Sequence, residues 1–286
     1  MEDVQELRIQ WFPGHMVTAL RMISEELKLC DVIIYMLDGR CPRSCFNPKF
    51  DDVIARKPTL FVLNKSDLAP WDTLKTFLAS DAYKDIVRSK GPTVNTTTLD
   101  STKSGSTKFA LEATRKLLKT RIDAAREKGI TKTIRAIVIG VTNCGKSTFI
   151  NNLSSKAKAL AGDKPGVTRT KQWVNAMDNF WILDTPGTLW PAFDNPQVAK
   201  NLAYVGSIKD DILDIVALSK SLLVDLDKLE PGCVMRRYGA VEFDAICRKR
   251  GYILRGGNLD YERAAKAILT EFRAGRIGRF NLDNLL

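Results

Sequence analysis

One histidine in 286 residues leaves Cys41-Pro-Arg-Ser-Cys45 without companions for a metal site, since no second pair of close cysteines accompanies it. Six cysteines, at 30, 41, 45, 144, 233 and 247, are too sparse for a disulfide framework and point to a reduced, intracellular protein. No apolar run reaches the roughly 18 residues that a membrane span needs. The opening Met1-Glu2-Asp3 is acidic and lacks the apolar segment of a secretory signal, and it does not resemble a transit peptide. Acids are in the minority. There are 33 Asp and Glu against 44 Lys and Arg, a net charge of +11, which favours a polyanionic partner, nucleic acid ahead of membrane. What remains is an ordinary globular composition, 44% hydrophobic and 27% charged, long enough for two domains or one large domain with an appendage.

Short apolar runs alternate with amphipathic stretches through residue 184. Val32 to Leu37, Thr59 to Leu63, Ile134 to Ile139 and Asn179 to Leu183 read as buried strands, each stopping at a polar or glycine-rich cluster. Leu20, Ile23, Leu27 and Cys30 are spaced as one helix face, and residues 109–128 read as a longer charged helix. This alternation predicts an α/β domain over 1–192, a mostly parallel sheet with helices on both faces. Beyond it the strand signal fades. Residues 196–230 read as helical, and Tyr261, Ala264, Ala265, Ile268, Leu269 and Phe272 form a helix stripe, so 193–286 is expected to be a smaller all-α domain.

Three motifs carry chemistry. Gly140-Val-Thr-Asn-Cys-Gly-Lys-Ser147 matches the phosphate-binding loop G-x-x-x-x-G-K-[ST], directly after a predicted strand and opening a helix. Backbone amides along Asn143, Cys144, Gly145, Lys146, Ser147 and Thr148 would cradle phosphates, with Lys146 neutralising their oxygens and the Ser147 hydroxyl ligating magnesium. Asp184-Thr-Pro-Gly187 fits a metal-side carboxylate, acting through water, followed by a γ-phosphate sensor at the Gly187 amide. Asn64-Lys65-Ser66-Asp67 is the guanine-reading pattern. The Asp67 carboxylate accepts from N1–H and the exocyclic amine, Lys65 packs along the base, and Asn64 ties the motif to the phosphate loop. Together they predict a GTPase, with GTP as substrate and GDP as product. The order is unusual, because Asn64 precedes Gly140 by 76 residues. A circularly permuted P-loop GTPase domain accounts for it, since a parallel sheet can be re-formed with its strands entered in another order.

Gln10-Trp-Phe-Pro-Gly-His-Met16, Leu37-Asp-Gly-Arg40, Asn47-Pro48, the three motifs above, Pro165-Gly-Val-Thr168, Gln172-Trp173 and the extension of the last motif through Pro191 occur in one order. In these segments the sequence resembles the circularly permuted YlqF/RbgA ribosome-assembly GTPases, from about residue 9 to near the C-terminus, where Arg255-Gly-Gly257 and Ile277-Gly-Arg279 also match. The resemblance implies GTP hydrolysis coupled to late maturation of the large ribosomal subunit, with contacts to rRNA and ribosomal proteins. It implies that Thr168 completes magnesium coordination and that Asn143 helps hold a potassium ion. Asn95 and Thr96 fall where the second base-contacting loop is expected, with Ser101-Thr-Lys103 as a competing match. Thr188 stands where signalling GTPases carry a water-orienting glutamine, and its hydroxyl is too short to replace it. His15 is the family's candidate for that role, beside Lys146 and Thr168 in the catalytic step; the other reading of Trp11 to His15 is a helix-entry turn.

From Pro231 onward 11 Lys and Arg face six acids. Such runs form solvated faces or RNA contacts, and Arg248, Lys249, Arg250 and Arg255 are the candidates for RNA. A second function class, an RNA-binding scaffold that holds GTP without turnover, differs from the first by its lack of hydrolysis. A monomer in a bacterial cytoplasm, ahead of a mitochondrial matrix and away from membranes, is the expectation.

Overall fold

The structure, a computed structural model, describes residues 14–88, 94–103, 105–153, 172–177, 179–190, 193 and 195–286. Six strands form one sheet in the order β3-β2-β1-β4-β6-β5. Helix α1 (Gly14–Glu26) leads into β1 (Val32–Asp38), and the short α2 (Asp51–Ile54) leads into β2 (Thr59–Asn64). Helices α3 (Thr73–Ala79) and α4 (Asp81–Arg88) precede β3 (Val94–Thr98). Next come α5 (Ser106–Leu117), α6 (Lys119–Glu127), β4 (Ile134–Gly140) and α7 (Lys146–Leu153). Strands β5 (Gln172–Met177) and β6 (Phe180–Asp184) close the sheet.

Every residue of β1 and β2 is buried, as continuous apolar runs in a parallel sheet covered on both faces should be. Strand β4 lies between β1 and β6 and is parallel to both. The permutation therefore leaves the phosphate-loop strand central, with the guanine-side strands on one flank and the strand ending at Asp184 on the other. Only β5 runs antiparallel, paired with β6 at the sheet edge.

Two differences from the sequence reading have local causes. The helix expected over 109–128 is two, broken at Leu118, whose φ of −98° and ψ of 8° leave the helical region while its side chain stays buried. The helical stretch 196–230 is also divided, into α8 (Pro196–Tyr204) and α9 (Ile215–Leu229), by a loop that turns at Gly206, whose φ is +80°. Helices α10 (Cys233–Tyr238), α11 (Phe243–Arg250) and α12 (Tyr261–Arg273) follow, and α12 packs along α9. The stripe on α12 buries Ala264, Ala265, Ile268, Leu269 and Phe272, while Tyr261 stays exposed. The boundary expected after residue 192 falls outside the described residues.

Candidate nucleotide site

The three motifs converge at the C-terminal ends of β2, β4 and β6, where a parallel sheet presents loops to a ligand. Asn64 joins two of the loops. Its Nδ2 donates to the Cys144 carbonyl at 2.8 Å, and its Oδ1 accepts from the Ser101 amide at 3.0 Å and hydroxyl at 2.6 Å. Gly145, at a φ of +99°, leaves room for this, since a Cβ there would lie 2.1 Å from Asn64 Nδ2. Lys65 has left-handed backbone, φ 56°, and its Nζ donates to the Asn143 carbonyl at 2.7 Å and to Asp38 Oδ2 at 2.8 Å.

Asp38 ends β1 and is fully buried. Arg40 Nε and Nη2 grip both its oxygens, at 2.9 and 2.8 Å. Burial alone would raise the Asp38 carboxyl, but the Arg40 guanidinium and Lys65 ammonium outweigh it and hold it well below the usual carboxylate range. The Lys65 side chain, which the sequence places along the base, is thereby fixed at its charged end. Neither Asp38 nor Arg40 carried a predicted role; both lie in the Leu37 to Arg40 segment.

In the phosphate loop, Lys146 Nζ donates to the carbonyls of Val141 and Gly140, at 2.7 and 3.1 Å, which holds its ammonium over the loop. Gly187 meets the loop from the other side, and a Cβ there would stand 2.7 Å from Thr142 Cα. The Thr188 amide donates to the Gly140 carbonyl at 3.2 Å. Its hydroxyl is fully buried and has no hydrogen-bond partner among the described residues. For magnesium, Ser147 at the start of α7 and Asp184 at the end of β6 offer hard oxygen donors, the set such an ion takes beside phosphates and water.

A cleft of roughly 450 Å³ opens beside these groups. Asn64, Lys65, Asp67, Ser101, Thr102, Asn143, Gly145 and Thr148 line one side, and Val205, Gly206, Ile208, Lys209, Asp210 and Arg273 line the other. The second set belongs to the helical segment and was not foreseen. The Gly206 carbonyl accepts from Asn143 Nδ2 at 2.5 Å, which leaves the side-chain oxygen, Asn143 Oδ1, as the group able to face a cation. Arg273 pairs with Asp210 at 2.7 and 2.8 Å and donates to the carbonyls of Ala203 and Tyr204. Arg40 Nη1 reaches the Arg273 carbonyl at 3.4 Å, so the Lys65 network continues into the helical segment.

One expectation is corrected. Asn95 and Thr96 do not line the cleft. They pair with Leu60 and Phe61 in mid-strand, and the chain reaches the cleft only after Leu99, at Asp100, Ser101 and Thr102. Cys144, just before α7 where a helix start would favour a thiolate, has no exposed surface, and burial raises its pKa. Cys41 and Cys45 are likewise buried, 4.0 Å apart at sulfur.

Arg248, Lys249 and Arg250 form the exposed last turn of α11, and Arg255 lies on the following exposed loop. Lys249 and Arg250 are partly engaged. They donate to the Gly239 and Arg237 carbonyls, and Arg250 stacks 5.2 Å from the Tyr238 ring. Gln10 to Pro13 and Thr168 lie outside the described residues, as does the side chain of His15, whose backbone sits in the first turn of α1.

A family described as 50S ribosome-binding GTPases matches residues 135–231. Ribosome biogenesis GTPase A of Priestia megaterium is 38% identical over 97% of each chain. This chain belongs to that family. Mitochondrial ribosome-associated GTPase 1 of Bos taurus is 29% identical over 96% of this chain and 88% of its own. The crystal structure of GNP-bound YlqF from T. maritima superposes with a TM-score of 0.58 at 26% identity, over 92% of this chain and 96% of that one. Membership of the ribosome biogenesis GTPase A family makes the chain a GTPase, and the permuted order of its motifs is a family property.

Proposed function

We propose that this chain binds an assembling large ribosomal subunit in its GTP form, hydrolyses GTP there and leaves as the GDP form. The observation that carries this is the shared cleft. Its guanine side is built by Asn64, Lys65 and Asp67 and its facing side by the loop from Val205 to Asp210, so nucleotide and helical segment meet directly. Asp67 selects guanine, the loop from Asn143 to Thr148 with Lys146 and Gly187 holds the phosphates, and Ser66 supports the base loop through the hydrogen bond its amide donates to the Leu99 carbonyl.

Ser147, Asp184 and Thr168 are the residues that would hold magnesium, and Asn143 would hold potassium; bound cations offset charge that develops on the phosphates. His15 is proposed to orient the attacking water. Residues 1–192 act as the GTPase domain and 193–286 as the RNA-facing domain, through Arg248, Lys249, Arg250 and Arg255. The bacterial relative, at 38% identity, is nearer than the mitochondrial one, at 29%, which supports a bacterial cytoplasm. Turnover measured with and without purified large subunits tests the reading. Stimulation by the subunit is expected, and turnover indifferent to it would overturn the coupling to assembly.

A further inference from the structure

A second cleft, of roughly 580 Å³, lies between α3, the loop after β1 and the C-terminal turn at 281–284. Trp71 lines it with 90% of its surface exposed, whereas Phe77, also on the lining, is buried. The Thr73 amide donates to the Pro70 carbonyl at 3.1 Å, which closes a turn around Trp71. Arg43 and Lys75 are exposed on the same walls, and Thr76 and Asn284 add exposed polar groups. The acid in the floor, Asp283, faces inward. Its oxygens accept from the Ser44 hydroxyl at 2.6 Å and from the amides of Ser44 and Arg43. Asp72 is the one exposed acid on the lining.

We propose that this cleft holds an unpaired base of single-stranded RNA, stacked on Trp71 with neighbouring phosphates on Arg43 and Lys75. An indole offers a flat face that any base can cover, and two cations at its flanks suit a backbone that carries one charge per nucleotide. A peptide anchored by apolar side chains finds little here, because Trp71 is the only large apolar group exposed on the lining. RNA as the partner rests on the ribosomal reading above and on the +11 net charge. The occupant would lie beside the guanine loop, since Trp71 follows Asp67 by four residues.

The test uses the full chain, a fluorescein-labelled oligoadenylate of six nucleotides and an RNA duplex, with binding read by anisotropy. Trp71→Ala should weaken hexamer binding about tenfold, as loss of one stacking platform does, with Trp71→Phe close to the parent and duplex binding equal in all three. The exposure of Trp71 makes both variants compatible with the fold. Arg43→Ala with Lys75→Ala should flatten the salt dependence of hexamer binding. The cleft is refuted if the parent does not bind the hexamer, if Trp71→Ala leaves its affinity unchanged, or if hexamer and duplex lose equally. Loss of subunit binding in Trp71→Ala with hexamer affinity intact would mean a protein occupant and equally refute it. Co-sedimentation of the parent with large subunits separates the two readings. Its failure beside Trp71-dependent hexamer binding overturns the ribosomal reading alone, and its success beside Trp71-indifferent hexamer binding overturns the cleft alone.

Discussion

Ser207 and Thr142 bond to each other in both directions: Ser207 Oγ donates to the Thr142 carbonyl at 2.8 Å, and Thr142 Oγ1 donates to the Ser207 carbonyl. Thr142 is a phosphate-loop residue already packed against Gly187, the proposed γ-phosphate sensor. Ser207 belongs to the loop between α8 and α9. A shift of Gly187 on hydrolysis therefore meets the helical segment through one residue, and the segment 188–196 is not the sole connection.

Ser207→Ala removes one of these bonds. Stability should fall by about 1 kcal/mol, the net worth of a typical hydrogen bond. The ratio of subunit affinities between the GTP and GDP forms should narrow, while GTP affinity of the free protein changes little. Thermal melts and subunit binding in both nucleotide states check this; an unchanged ratio would place the coupling elsewhere.

Asp67→Asn should weaken GTP binding strongly and create binding of xanthosine triphosphate, whose 2-oxo group needs a donor. Competition titrations with both nucleotides read the exchange. Undiminished GTP affinity would mean that the base is not held there.

Gly145→Ala puts a methyl group onto Asn64 Nδ2 at a φ that alanine rarely adopts. Asn64 would release Cys144 or Ser101, and nucleotide affinity should fall more than about tenfold, the equivalent of about 1.4 kcal/mol. Isothermal titration with GDP measures it, with circular dichroism to confirm that the sheet is retained.

Asp38 contributes to the acid limb of stability, beside Asp100, Asp225 and Glu271, which are also held below the ordinary carboxylate value. Its folded pKa lies below the unfolded value, so its contribution is present above the ordinary carboxylate pKa and is lost as the pH falls beneath it. Asp38→Asn should flatten that limb and cost about 3–5 kcal/mol at neutral pH, because Arg40 stays buried without its counter-charge. Urea unfolding between pH 3 and 7 distinguishes the two curves. Guanine affinity should fall as well, through Lys65.

Much of this was legible in the sequence, for physical reasons that also mark the limits. β1 and β2 are buried throughout, and β4 and β6 at every position but Arg135 and Trp181, because the sheet is covered on both faces, and the glycines and charged groups at their ends have few substitutes. β3 is an edge strand of partly exposed Asn and Thr with no comparable run, so Asn95 and Thr96 were placed in a loop that begins only after Leu99. The helical wall of the cleft left no local trace. Gly206 and Ser207 meet the phosphate loop across more than 60 residues of chain, and nothing in Val205 to Asp210 distinguishes that loop from any other helix connection. Cys144 sits just before a helix, a position that favours a thiolate, but packing beneath Gly140 excludes it from solvent, which the local sequence does not show.

The most direct measurement is the affinity of the chain for purified large ribosomal subunits, by co-sedimentation with GDP or with a non-hydrolysable GTP analogue. The account predicts tighter binding with the analogue, and subunits that raise the affinity for the analogue by the same factor. Equal affinity in the two nucleotide states would contradict it.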